Sequence, residues 1–121
     1  LSDLLAAVSA KATNGWLLAI DGRKVLVDSP HKALNYLLQC SAGVIAKRWM
    51  VIANELITKN YLHTHQLAFV HDELQYECLA KNIDDIKSTL EDSARRAGEY
   101  YTLRCPIAAE AKSGSNWSEV H

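Results

Sequence analysis

The side chains best suited to chemistry are three neighbours, His71, Asp72 and Glu73, in the stretch AFVHDELQYEC. Two adjacent carboxylates repel each other, and a divalent cation removes that conflict. Mg²⁺ prefers hard oxygen ligands and usually takes only one or two protein carboxylates, with water and phosphate completing its shell. Magnesium held in this way supports phosphoryl transfer, because it neutralises phosphate charge and activates the attacking oxygen. Taken alone, the triplet is more typical of an acidic, solvated surface turn, because surface turns often carry Asp and Glu.

The elements that position this triplet are two strands that meet at it. Residues 66–71 are largely apolar, and polar and apolar residues alternate over 74–80, so both read as strands. The whole pattern predicts a helix over 1–13, a hairpin over 16–27, a long helix over 30–59, a hairpin over 66–80, a helix over 82–101, a strand over 103–112 and a tail in loop conformation over 113–121. Strands grouped in hairpins favour an α+β fold, with an antiparallel sheet of hairpins packed on the long helix and the second helix. A length of 121 residues predicts a single domain with one core.

Local signals mark several element ends. Residues 21–22 are Asp-Gly, a typical hairpin turn. Ser29 followed by proline predicts the capped start of the long helix, and Asn82 is expected to cap the second helix. Gly43 lies inside the long helix, where glycine costs about 1 kcal/mol relative to Ala. A glycine at this position indicates close approach of another backbone, or else it is there by chance. Pro106 argues for an edge or an irregular start in the last strand.

Composition excludes several classes of protein. The net charge is −1, with seven Lys or Arg against four Asp or Glu in residues 1–60 and six against ten in residues 61–121. A strongly basic nucleic-acid footprint is therefore absent, although the first half can offer a modest positive face. No apolar run reaches the roughly 18 residues that cross a bilayer, and we expect no signal peptide. Three widely spaced cysteines without a CxxC pair predict buried thiols in a reducing compartment.

A row of polar residues precedes the triplet in the sequence. His31, Asn35 and Gln39 recur at four-residue steps, which places them on one slanting row of a helix. Asn and Gln offer both a donor and an acceptor, and this suits the minor-groove edges of base pairs, where acceptors are shared by nearly all pairs. A solvated helix face is the alternative.

The triplet and the polar row, together with two shorter segments, resemble the sequence of a known family. The matching segments are VHDE at 70–73, HKALNYLLQ at 31–39, DGRKV at 21–25 and the closing NW…H at 116–121. They resemble the C-terminal part of the palm of a family A DNA polymerase, the polymerase I type, and most of all the short replicative polymerases of phages. The likeness runs from about residue 14 to the end, and VHDE corresponds to the family's motif C.

The resemblance implies a role for each matched residue. Asp72 would be one of the carboxylates that hold two catalytic Mg²⁺ ions, with Glu73 as the neighbouring, weaker acid. His71 would contact the primer near its 3′ end, and Gln39 and Asn35 would face the minor groove of the newest base pairs. His31 stands where bacterial members carry Arg, so the permanent charge is lost there, and a hydrogen bond is the contact with DNA that His31 can still offer. The implied reaction is attack of a primer 3′-hydroxyl on the α-phosphate of a dNTP, with release of pyrophosphate.

The chain departs from the whole enzyme in one respect. The second metal-binding aspartate of the family lies in motif A, and the triphosphate-binding residues lie on a fingers helix, and neither is present here. We therefore expect a palm fragment that is inactive alone. Its partners would be primer–template DNA, dNTP and the remainder of the polymerase, namely fingers, thumb and motif A, with no membrane. The expected compartment is the bacterial cytoplasm, with a phage or prophage as source.

Other interpretations of the same residues stay open. The chain is alternatively a non-catalytic α/β interaction module or a degenerate polymerase remnant. A metal-dependent nuclease would need further acids converging on Asp72, and only Glu77 and Glu110 lie on predicted strands. His63 and His65 resemble a metal-ligand pair, but an exposed loop explains them without a metal.

Overall fold

Helices and two β-hairpins alternate along the chain. The computed structural model describes all of residues 1–121. The order is α1 (Ser2–Ala12), β1 (Trp16–Leu18), β2 (Lys24–Leu26), α2 (Ala33–Asn60), β3 (His65–Val70), β4 (Glu73–Glu77), α3 (Ile83–Tyr100) and α4 (Trp117–Val120). Short 3₁₀ turns at Pro30–Lys32 and Ala80–Asn82 lead into α2 and α3. The predicted α+β class, with antiparallel strands, is confirmed.

The two hairpins form two separate two-stranded sheets, so the prediction of one shared sheet is wrong. Contacts also group the chain into two compact units, Leu1–Ile45 and Ala46–His121, where length alone predicted one core. Each unit contains one hairpin, and α2 runs through the boundary between them. The inter-strand hydrogen bonds of each hairpin therefore form only between its own two strands. None of the helices combines the length and the apolar character that a membrane crossing requires.

The first unit packs α1 and the β1–β2 hairpin around a small apolar core. Its buried members come from α1, the hairpin and the start of α2, and they are Val8, Ala12, Leu17, Val27 and Ala33. The hairpin turn uses Gly22 in the left-handed region at φ 82°. The amide of Gly22 donates to the carbonyl of Ala19 at 2.9 Å, and the amide of Ala19 donates to the carbonyl of Arg23 at 2.9 Å. This three-residue loop, with glycine last, is a common hairpin connection.

The start of α2 differs from the predicted cap. The Ser29 side chain makes no capping hydrogen bond. Its backbone carbonyl instead accepts from the amide of Lys32 at 3.0 Å, which closes the 3₁₀ turn that precedes the helix. Asn82 likewise makes no side-chain cap to α3, because it ends a second 3₁₀ turn. A 3₁₀ turn satisfies amides that a side chain would otherwise have to cap.

The second unit is joined by hydrogen bonds between its elements. Trp49 on α2 donates its indole N–H to the carbonyl of Leu90 on α3 at 2.9 Å. Gln66 on β3 donates to the sulfur of Met50 on α2 at 3.2 Å, and it accepts from the Tyr76 hydroxyl on β4 at 3.3 Å. These contacts tie both strands of the second hairpin to α2, and α2 to α3.

Residues 103–112 do not form the predicted strand. The segment is held to α3 by isolated bonds: Leu103 donates to the carbonyl of Gly98 at 3.1 Å, and Ala111 donates to the Glu91 carboxylate at 3.0 Å. No strand of either hairpin pairs with this segment, and Pro106 has no N–H to donate to a ladder. The tail, predicted as a loop, contains the short helix α4, which is capped by Asn116.

Two helical glycines differ in what surrounds them. A Cβ on Gly98 would lie 2.8 Å from Cγ1 of Ile107 and 3.3 Å from its backbone nitrogen, so α3 and the 103–112 segment approach closely there. A Cβ on Gly43 would meet nothing within 4 Å, so no backbone approaches it in this chain. The close approach predicted for Gly43 belongs to Gly98 instead.

We expect Gly98→Ala to lower the free energy of unfolding by up to about 2 kcal/mol, because overpacking costs more than the helix propensity gained. Gly43→Ala is the matched control and should raise it by about 0.5–1 kcal/mol. Urea unfolding followed by circular dichroism measures both. Equal stabilisation by the two substitutions would contradict the close contact at Ile107.

Candidate metal site and nucleic-acid interface

The triplet lies at a two-residue turn between β3 and β4. Val70 pairs with Glu73 across the hairpin, so His71 and Asp72 alone form the loop. His71 has φ 57°, in the left-handed region that glycine or asparagine usually occupies. Positive φ at only the first loop residue is the pattern of a type II′ turn. A histidine held there costs about 1–2 kcal/mol, and such strain is found most often at functional sites.

The two adjacent carboxylates have different surroundings. Asp72 is exposed and makes no hydrogen bond or ion pair. The Glu73 side chain is 39% exposed, and its Oε1 lies 2.9 Å from Nε2 of His121. Gln75, two residues along the same strand, also donates its side-chain amide to Oε1 of Glu73. One carboxylate is therefore free and the other is engaged by the protein.

The free carboxylate suits a hard divalent cation. Mg²⁺ usually takes one or two protein carboxylates and completes its shell with water and phosphate. Asp72 has both oxygens available, and Glu73 has Oε2 available. No group of three or more His, Cys, Asp or Glu side chains that could hold a metal forms anywhere in the chain, and this applies to His63 and His65 too. Any cation at the turn therefore depends on these two acids and on ligands from outside the chain.

The remainder of β4 and the residue that follows it provide no competing nucleophile. Burial raises the pKa of the Cys78 thiol above its ordinary value. Burial also raises the pKa of Tyr76, whose hydroxyl donates to Gln66. A thiol with a raised pKa stays protonated at neutral pH and reacts poorly as a nucleophile. The chemistry available on this hairpin is therefore that of its carboxylates.

The predicted polar row lies in the first unit. Asn35 and Gln39 are exposed on α2, four residues apart and so on one face. His31 is exposed too, and it belongs to the 3₁₀ turn that leads directly into α2 rather than to α2 itself. The triplet at 71–73 lies in the second unit.

An open cleft of about 520 Å³ adjoins this row in the first unit. It is lined by Val25, Leu26, Asp28, Tyr36, Gln39 and Cys40. The Tyr36 hydroxyl donates to the Asp28 carboxylate at 3.0 Å, which fixes one wall. The exposed Gln39 side chain thus also lines this cleft.

The tryptophans differ in their surroundings. Trp49 is partly buried and donates to Leu90, so it is part of the packing between α2 and α3. Trp16 is 37% exposed, with the ammonium of Lys24 4.5 Å from its ring centroid. Trp117 is half exposed and stacks on the His121 ring at a centroid distance of 4.6 Å.

Sequence reasoning missed two contacts of the candidate site, His121 and Gln75. Gln75 lies on the same face of β4 as Glu73, and strand alternation was the available signal for that contact. His121 lies 48 positions from Glu73, and the only signal for it was the closing NW…H segment of the phage pattern. No spacing rule connects residues so far apart.

Comparison with known proteins assigns the family. The sequence profile of DNA polymerase family A matches residues 18–119. The chain therefore belongs to DNA polymerase family A, and the resemblance seen in the sequence is confirmed.

Individual relatives agree with this assignment. The chain is similar to the DNA-directed DNA polymerase of Escherichia phage Phieco32, with 33% identity over 98% of this chain and 20% of the relative. It is 37% identical to the DNA-directed DNA polymerase of Escherichia phage T7 over 88% of this chain and 16% of that protein. Among solved structures, it is similar to the POL domain of Pol1 from M. smegmatis in complex with DNA primer–template and dNTP. The TM-score is 0.76 and the sequence identity is 26%, and the match covers 88% of this chain and 20% of the Pol1 chain. The chain thus spans about a fifth of the length of these relatives.

We expect His71→Gly to raise the free energy of unfolding by about 0.5–1 kcal/mol, because glycine relieves the left-handed strain at some entropic cost. Thr102, with φ 53° just beyond α3, is the matched position outside the site. Thr102→Gly should stabilise by a similar amount. Urea unfolding measures both, and a loss of stability in His71→Gly alone would contradict the strain at the turn.

Proposed function

We propose that this chain is the part of a DNA-directed DNA polymerase palm that carries motif C and one of the carboxylates for the catalytic metals. The observation that supports this most is the free, exposed Asp72 carboxylate at a strained two-residue turn, in a chain that belongs to DNA polymerase family A. The reaction is nucleotidyl transfer. The primer O3′ forms a bond to the α-phosphorus of a dNTP, the bond to pyrophosphate breaks, and the hydroxyl proton is released.

Asp72 and Glu73 would hold the metal on this side of the reaction centre. Bound Mg²⁺ would supply charge neutralisation on the phosphates and activation of the attacking hydroxyl. Asp72, without competing partners, offers the ligand oxygens directly. Glu73, with Oε1 engaged by Gln75 and His121, offers only Oε2 or an outer contact. This difference agrees with the stronger and weaker roles that the resemblance implies for the two acids.

Primer–template DNA and dNTP are the proposed partners. The related Pol1 domain was solved with both. His71, exposed at the hairpin turn, would contact the primer near its 3′ end, and Gln39 and Asn35 would face the minor groove. His31 would offer DNA a hydrogen bond without the permanent charge of the arginine in bacterial members. We expect these contacts to occur in the bacterial cytoplasm, because the relatives are polymerases of phages and bacteria.

The chain spans about a fifth of the length of its relatives. The family resemblance implies that the second metal-binding aspartate and the triphosphate-binding residues belong to the remainder of a polymerase. We therefore propose that the chain acts together with the remainder of a polymerase, which contributes fingers, thumb and motif A.

In a polymerase that contains this segment, we expect Asp72→Asn to lower the rate of nucleotide incorporation at least about 100-fold, because the amide binds Mg²⁺ far more weakly than the carboxylate does. Affinity for primer–template duplex, measured by fluorescence anisotropy, should stay within a few-fold. Glu77→Gln, an exposed acid on the same hairpin, is the matched control and should leave incorporation unchanged. Full activity in Asp72→Asn would refute the proposed function, and so would equal losses in both variants.

The isolated 121-residue chain should incorporate no nucleotide above background when it is mixed with primer–template, dNTP and Mg²⁺. One hairpin carboxylate pair cannot bridge two metals and a triphosphate without the second aspartate. Primer extension on a denaturing gel measures this, with a complete family A polymerase as positive control. Extension by the chain that is abolished by Asp72→Asn would show that these residues suffice.

A further inference from the structure

The last nine residues form a folded tail with its own hydrogen bonds. The Asn116 side chain accepts from the amide of Glu119 at 3.2 Å, and the amide of Ser115 donates to the Glu119 carboxylate at 2.6 Å. A Cβ on Gly114 would lie 2.6 Å from Cβ of Glu119, so the turn is too tight for any other residue without a shift. The tail thus holds the residues of α4 and His121 in a defined place.

His121 is the residue that this tail presents to the hairpin. One face of its ring stacks on Trp117, with an interplanar angle of 24°. Its Nε2 lies 2.9 Å from Oε1 of Glu73. The ring is thereby held from two directions, by an aromatic face and by a carboxylate.

The same Glu73 oxygen is contacted by two nitrogen atoms, Nε2 of His121 and Nε2 of Gln75. A carboxylate oxygen has two lone pairs, so these two nitrogens occupy the space around Oε1. The neighbouring Asp72 has no such partner. His121 of the tail and Gln75 of β4 together therefore make the surroundings of the two adjacent acids unequal.

The contact contributes little to stability. The His121 and Glu73 side chains are 41% and 39% exposed, and ion pairs at such exposure are worth about 0–1 kcal/mol. Its effect is instead on orientation, because a glutamate at the edge of a turn otherwise samples several rotamers.

We propose that His121 is a positioning residue for nucleotidyl transfer, which holds the Glu73 carboxylate in one orientation through Oε1 and leaves Asp72 as the unrestrained metal ligand of the hairpin. This inference rests on the proposed function and adds a residue to it. Trp117 stacks on the ring of His121, and Gln75 on β4 makes the second contact to Oε1 of Glu73.

The first test is made in a polymerase that contains this segment. His121→Ala should lower kcat/KM for dNTP incorporation about tenfold, as is usual when a residue that orients a metal-site carboxylate is lost. His121→Gln should recover most of that loss, because its amide nitrogen can contact Oε1 again. His63→Ala, a change at an exposed loop histidine, is the matched control and should have no effect. Wild-type activity in His121→Ala would overturn the proposal, as would equal loss in the Gln variant.

A double-mutant cycle separates positioning from a general structural role. In a Glu73→Gln background, His121→Ala should cause no further loss, because the carboxylate it orients is gone. Multiplicative losses in the double variant would overturn the inference. The Asp72→Asn result remains separate: if that variant is active, the proposed function itself fails.

A third measurement needs no activity. In ¹⁵N-labelled 121-residue chain, His121→Ala should shift the Gln75 side-chain amide signals in the NMR spectrum, whereas His63→Ala should not. Backbone signals of α2 and α3 report that the fold is retained. Unmoved Gln75 signals in a folded His121→Ala chain would show that the contact does not exist in solution.

Discussion

The pairing of Val70 with Glu73 is the constraint on which the candidate site depends. It leaves only His71 and Asp72 to reverse the chain, and so forces His71 into the left-handed region. A longer, relaxed loop would let both side chains move independently of the strands. The short turn instead holds the backbone of His71 and Asp72 close to the paired strands, at a cost of about 1–2 kcal/mol in backbone strain.

A second consequence of the turn is that neighbouring acids experience different environments. Asp72 is a loop residue, so its carboxylate extends from the hairpin without partners. Glu73 is the first residue of β4, so its side chain lies beside Gln75 on one face of the strand and within reach of His121. Two acidic residues that are neighbours in the chain thereby differ in their contacts, and the proposed roles, metal binding for Asp72 and a fixed orientation for Glu73, follow from that difference. Position in the hairpin, rather than residue type, accounts for the different contacts.

Much of the fold and of the candidate site was predictable because it depends on local sequence. Hairpin turns, helical periodicity and the HDE triplet are all encoded within short stretches of the chain, and the family resemblance rested on the same stretches. The predictions that failed depended on which partner a segment finds. The 103–112 segment has strand-like composition, but it lies against Gly98 of α3 and no strand pairs with it. Ser29 and Asn82 are good caps by type, yet 3₁₀ turns satisfy the helix starts instead.

The sequence by itself determined the α+β class, the two hairpins, the pair of exposed amides on the long helix and membership in DNA polymerase family A, because each is encoded in short-range patterns. Only the tertiary structure decided that the hairpins form separate sheets, that His71 carries the strain of the turn, and that His121 contacts Glu73. The physical reason is that periodicity and turn propensity act between neighbours in the chain. Contacts between residues 48 positions apart are decided by how the tail folds and packs, which no local pattern records.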